Sequence, residues 1–371
     1  MENRLKKIFT VLALTVMLLA GWASLRFLPS FDPAADEADL NDDLILRRFV
    51  LAPSKAWNAF WGKTYFPDGR LLIMEDGRIL AASGSHTPQK VEKQILQLRD
   101  FCEEHELNLL YVILPPKYSA DEEMGRYGIR TLTNWNLDRM DAMLEEDGIS
   151  HIDMRKILQT SGSYDDFFYK TDHHWNTDAG LLCARTIAER LNDEFGCGLD
   201  TGVLDETGFE REVRQEFWVG ETGEKTLGMF CPKEDLILLS PLFETDLTYW
   251  NDKKDIDRQG SFGILTFPER LTPDPIRKGL ESAYYYYLYS NDAPAHIKNR
   301  IQPEGNVLLI KDSFAIVVAP YLSLTMNELT LWDMRSDPAV LSYLLEHPEI
   351  RTVVIAYNPG FLDVAGMYDF Q

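Results

Sequence analysis

Histidine is scarce in this chain, with seven among 371 residues. Cysteine is scarcer: Cys102, Cys183, Cys197 and Cys231 are scattered without a C-x-x-C pair, so a zinc reading has little support. A count of four leaves open whether Cys197 and Cys231 pair. Positive charge is short as well. The 37 Lys and Arg face 59 Asp and Glu, a net charge of −22 that repels phosphate backbones and argues against nucleic acid as a partner. No internal repeat is evident, and no low-complexity tract beyond one acidic stretch. What is present, 45% hydrophobic and 26% charged residues, suits either one large α/β domain with insertions or two smaller domains.

The N-terminus has a character of its own. Arg4, Lys6 and Lys7 precede an uncharged run from Ile8 to Leu25. Its length is at the lower edge of a membrane span, and the basic residues in front favour an N-inside orientation. Gly21 and Ala23 offer a small-residue cleavage site, so a removed signal peptide is the alternative. Residues 1–30 are therefore expected to be an anchor or signal and 31–68 an acidic linker and lead-in. The remainder, 69–371, is expected to be a domain outside the cytoplasm, anchored to the cytoplasmic membrane or secreted if cleaved.

Beyond the linker the pattern becomes regular. Thr87 and Pro88 read as a cap and first residue of a helix whose Val91, Ile95, Leu98 and Cys102 recur at helical spacing. The apolar run Leu109–Leu114 stops at Pro115-Pro116 and predicts a buried strand. A helix with Leu137, Met140 and Leu144 on one face follows, ended by Gly148, then the short strand I-S-H-I-D-M. Asn176 is placed to cap a helix carrying Leu182, Ile187 and Leu191. From about 195 to 300 the rhythm breaks into an irregular β-rich insertion, in which Tyr284–Tyr289 read as alternating strand residues. Strands return at Val307–Ile310, Leu329–Met334 and Thr352–Tyr357, spaced for crossover helices. The alternation predicts a parallel sheet covered on both faces, with function gathered at the C-terminal ends of its strands. Those ends carry Lys117, Ser313, Arg335 and Asn358.

Two of these segments carry chemistry. Ser313 follows the strand Val307–Ile310 in K-D-S-F-A, where a hydroxyl and its own N–H can face one point. A hydroxyl needs a base to take its proton, and the base needs a carboxylate to fix its tautomer. The stretch T-D-H-H-W-N supplies both in Asp172 and the adjacent His173 and His174. Taken alone, a D-S pair is more often a helix cap, and adjacent histidines lack the i, i+4 spacing of paired metal ligands. No metal is expected. Trp175 could stack on a sugar or pack in the core, and Lys117 and Arg335 could hold an anionic substituent or be ordinary strand-end charges.

T-D-H-H-W-N together with L-L-I-K-D-S-F-A resembles the DHHW family of exported bacterial proteins and, more distantly, the SGNH-hydrolase-like enzymes that O-acetylate alginate. The resemblance runs from about Gly69 to the C-terminus. It implies a flavodoxin-like parallel sheet flanked by helices, with the Asp-His segment ahead of the serine. It also implies no cofactor, a polysaccharide acceptor, and a membrane-bound O-acyltransferase as acetyl supplier. Match to the D-x-H motif selects Asp172 as the orienting carboxylate and His174 as the base, leaves His173 to point outward or contact the sugar, and makes Ser313 the nucleophile. Asn358 resembles the asparagine that completes the oxyanion hole beside the Ser313 N–H, and Arg335 stands where relatives often carry an arginine. Lys311 departs from the glycine of the usual G-D-S, and no glycine block is recognisable. The expectation is an extracytoplasmic polysaccharide O-acetyltransferase working through an acetyl-serine. A carbohydrate esterase with the same residues and a silent polysaccharide-binding protein are the alternatives.

Overall fold

The computed structural model describes Thr15 and residues 54–371, apart from 68–69, 83–87, 122, 125–128, 272–281, 289–290, 292 and 359–365. The run Ile8–Leu25, except Thr15, and the residue Thr87 lie outside the described residues. Among the described residues no helix is long and apolar enough to cross a membrane.

In chain order, a small antiparallel sheet of β1 (Tyr65–Phe66), β2 (Leu71–Ile73) and β3 (Ile79–Ala81) leads into α1 (Gln89–Glu104) and β4 (Asn108–Ile113). The short pair β5 (Glu123–Met124) and β6 (Ile129–Arg130) precedes α2 (Thr133–Glu146), β7 (His151–Asp153) and α3 (Met154–Ser161). Then come α4 (Thr177–Phe195), β8 (Phe209–Trp218), α5 (Glu221–Thr226), β9 (Glu234–Pro241), β10 (Leu247–Asn251), β11 (Ile256–Gly260) and β12 (Ala295–Asn299). The chain closes with β13 (Asn306–Lys311), α6 (Ala319–Leu322), β14 (Glu328–Trp332), α7 (Val340–Glu346) and β15 (Thr352–Tyr357).

Eight strands form the central sheet in the order β11-β10-β12-β14-β13-β15-β4-β7. The five from β14 to β7 run parallel, and β11, β10 and β12 extend the β14 edge antiparallel. Apolar runs suit the middle of such a sheet because both faces are covered. Along β13, Val307 and Leu309 face the core that holds Ala184, Ile187 and Leu191 of α4. Leu308 and Ile310 face the core that holds Ile95 and Leu98 of α1 and Leu137 and Met140 of α2. Asn176 caps α4, its Oδ1 accepting from Ala179 N at 3.1 Å, which satisfies one of the orphan donors of the first turn.

The 195–300 segment is rich in strands, as expected: β8 and β9 pair as a hairpin, and β10, β11 and β12 join the central sheet. One expectation is corrected. The tyrosines do not form a strand: residues Ala283–Tyr286 make a turn of 3-10 helix that buries Tyr284. The alternation of a repeated residue carries no period, so it could not separate the two.

Close packing at Gly180 sets α4 against the turn Ser313–Val317, because a Cβ there would collide with the Val317 carbonyl. Gly180→Ala is expected to lower stability by about 1–3 kcal/mol. An unchanged midpoint in urea unfolding would contradict this packing.

Candidate active site

Ser313, the serine after β13, opens a 3-10 turn, Ser313–Val317, capped by Asp312. The Asp312 carboxylate accepts from Phe314 N at 2.8 Å and from Asn358 N at 2.6 Å, tying the end of β13 to the end of β15. Burial pushes the Asp312 carboxyl up to about 6 against the pull of those two N–H groups. The Phe314 carbonyl accepts from the Trp175 indole at 2.8 Å and from the Tyr284 hydroxyl at 2.9 Å, so the turn is fixed from three directions.

His174 meets that turn from a different part of the chain. Ser313 Oγ lies 2.8 Å from His174 Nε2, and His174 Nδ1 lies 2.6 Å from Asp172 Oδ1. Burial pushes the Asp172 carboxyl up. The opposing imidazole and its hydrogen bond, His173 and the Glu221 N–H outweigh burial and hold it well below the usual carboxylate range. An ionised carboxylate only accepts, so Nδ1 carries the ring proton and Nε2 presents its lone pair to the Ser313 hydroxyl, which donates. The imidazole plane is fixed by Tyr284, stacked 3.8 Å away at 9°. Asp172 completes its bonding with its own loop and α5, Oδ1 accepting from His174 N at 3.0 Å and Oδ2 from Glu221 N at 2.8 Å.

The loop carrying Asp172 is clamped on both polarities. Glu234 accepts from the backbone N–H of Lys170 and Thr171 and from the Thr171 hydroxyl. Lys117 Nζ donates to the carbonyls of Ile79 (2.9 Å), Lys170 (2.6 Å) and Asp172 (2.7 Å). An ammonium has three N–H groups, and all three have acceptors here. Burial lowers this lysine to about 8, opposed by the charges of Glu234 and Asp172. Gly220 presses on the Asp172 backbone, where a Cβ would collide.

These contacts correct two assignments. Lys117 does not reach out to substrate, because its donors are spent inside the protein. Trp175 is fully buried with its N–H on the Phe314 carbonyl, so no sugar can stack on it. Lys117, with its donors so engaged, lines the same cavity of about 500 Å³ as His174 and Ser313, and so do His173, Arg335 and Asn358. His173 packs on His174 at 3.8 Å, and burial with repulsion from His174 lowers it to about 4, leaving it neutral at pH 7. Arg335 is bound to the Asp333 carboxylate, and Asn358 Nδ2 donates to Pro115 O at 3.0 Å.

Asp172, His173 and His174 bring ligand-type atoms within 4.8 Å of one another. Both nitrogens of His174 and both oxygens of Asp172 already have partners, so an ion there would have to break the chain of hydrogen bonds. All four cysteines are free thiols, including Cys197 and Cys231.

Tyr284, Gly220, Glu221 and Glu234 were invisible to sequence reasoning. The Glu221–Asp172 contact spans 49 positions and the Glu234–Thr171 contact 63, and neither follows a motif.

Residues 72–215 match the family model of the SGNH hydrolase-like domain of acetyltransferase AlgX. The fold, a mostly parallel central sheet flanked by helices, is SGNH hydrolase-like. The matched segment includes Asp172 and His174 and ends before Ser313. Among solved structures, the fold is similar to PatB1 of Bacillus cereus determined with a sulfonyl adduct, at 19% identity and TM-score 0.66, covering 82% of this chain and 100% of that one. It is also similar to a DHHW family protein from Eubacterium siraeum DSM 15702, at 12% identity and TM-score 0.61, covering 81% and 93%. No curated protein matches the chain.

Lys117→Met keeps the stem and removes the charge, leaving three buried carbonyls without a donor. It is expected to destabilise the fold by about 3–5 kcal/mol, as loss of one partner from a buried charged network does. Thermal unfolding within a degree of the parent would show that the clamp carries no stability.

Proposed function

We propose that this chain is an extracytoplasmic O-acetyltransferase that moves an acetyl group through Ser313 to a hydroxyl of a cell-surface or secreted polysaccharide. The observation that supports this most is the unbroken run of hydrogen bonds from Asp172 through His174 to Ser313, in a chain whose residues 72–215 match the model of an acetyltransferase domain.

In the first half-reaction Ser313 Oγ attacks the acetyl carbonyl while its proton passes to His174 Nε2. The tetrahedral oxyanion is stabilised by the Ser313 N–H, a donor of the kind that contributes about 3–4 kcal/mol, with Asn358 lining the same cavity. Collapse breaks the bond to the donor's leaving group, which takes the proton from His174. In the second half-reaction His174 removes the proton of an acceptor hydroxyl, whose oxygen attacks the acetyl-serine. Collapse returns the proton to Ser313 and releases the acetylated sugar. Asp172 keeps the imidazole in the productive tautomer and balances its charge when protonated. His173 and Arg335 contact the acceptor.

A membrane-bound O-acyltransferase is the proposed acetyl supplier, with the run Ile8–Leu25 holding this chain against the same membrane or directing its export. Water in place of the sugar hydroxyl would make the same residues an esterase.

The test uses the full chain, an activated acetyl ester and a polysaccharide acceptor. Mass spectrometry is expected to find an acetyl group on Ser313 and then on the polymer, and Ser313→Ala is expected to lose at least about a thousandfold in turnover. Undiminished acetylation by that variant would refute the mechanism. Free acetate release that does not fall when acceptor is supplied would assign the protein as an esterase, and no labelling at all would leave a binding protein.

A further inference from the structure

We propose that a second cavity, on the far side of Tyr118 from Ser313, holds a neutral sugar ring of the acceptor glycan stacked on Trp135. This rests on the transferase reading above and extends it to the length of chain recognised.

Tyr118 and Thr133 line the Ser313 cavity, and their hydroxyls share a hydrogen bond of 2.5 Å. Their chain neighbours Ser119 and Asn134 line a separate cavity of about 650 Å³. One wall therefore divides two cavities, and a chain of sugars lying across it would place adjacent rings in both.

The second cavity is built to hold its shape. Its floor is the buried Arg155, which donates to Asp153 at 3.0 and 2.7 Å and to the Asn134 carbonyl at 3.1 Å, and pairs with Asp138 at 2.9 Å. Asp121 accepts from the backbone N–H of Asn134 and Trp135, pinning the first turn of α2. The lining cations Arg130, Arg155 and Lys156 are matched by the acids Asp121, Asp138 and Asp153. Balanced charge gives no preference for an anionic ligand, and so many hydrogen-bonding groups would disfavour an apolar one.

Trp135 stands on the rim with 43% of its surface exposed. The Arg139 guanidinium lies over one face of its ring at 4.6 Å, a cation–π contact that would hold the indole in place, and the sugar would take the opposite face. A rigid, half-exposed indole beside polar groups such as Gln159 suits the C–H face and hydroxyl edge of a sugar.

The proposal is tested by calorimetric binding of cello-, chito- and malto-oligosaccharides, from monosaccharide to hexasaccharide, to the full chain and to Trp135→Ala and Trp135→Phe. Binding of at least one series is expected to tighten with chain length. Trp135→Ala is expected to weaken the longer members roughly five- to tenfold while leaving the monosaccharide unaffected, and Trp135→Phe to restore most of the loss. Acetyl-serine formation from an activated ester is expected to be unchanged in both variants. Absence of any gain with length, or longer members bound equally well by Trp135→Ala, overturns the proposal. Length-dependent binding through Trp135 in a protein that never forms acetyl-serine would sink the transferase reading alone.

Discussion

A carboxylate with no solvent exposure normally takes up a proton, and the site depends on Asp172 not doing so. The imidazole of His174 on one oxygen and the Glu221 N–H on the other keep it ionised. If Asp172 were protonated it could donate to Nδ1. The ring proton would then shift toward Nε2, and the lone pair facing Ser313 would be lost. The buried contacts of Lys117 and Glu234 hold the backbone of the loop that carries Asp172.

This explains why so much of the fold converges on three residues. The parallel strands β13, β15 and β4 end at one edge and deliver Ser313, Asn358 and Lys117 there. Asp312 joins the first two through backbone N–H groups, and Lys117 joins the third to the Asp172 loop. The 3-10 turn after residue 282 brings Tyr284 over the imidazole, and the hairpin of β8 and β9 supplies Glu234. The extra antiparallel strands enlarge the sheet on the side away from β4.

Much of this was legible in the residues because it is local. Runs such as Leu109–Leu114 and Thr352–Tyr357 are apolar on both faces, and only a covered strand uses them that way. Asn176 sits one residue before its helix, and Ser313 directly follows a strand and its aspartate. Where the reading failed, residue type had been asked to report burial. Trp175 has the chemistry of a sugar platform and Lys117 that of an anion ligand, yet both lie inside. The strong apolar context of Trp175 and the carbonyls around Lys117 come from segments distant in the chain. Tyr284 was hidden by its neighbours, since in Y-Y-Y-Y nothing marks which ring turns inward.

Covalent labelling by a serine-directed sulfonyl fluoride, mapped to the peptide and timed in the parent, His174→Ala and Asp172→Asn, tests the central claim most directly. Modification is expected at Ser313 alone, lost without His174 and strongly slowed without the Asp172 charge. Labelling at another residue, or at Ser313 with the same rate in all three proteins, would contradict it.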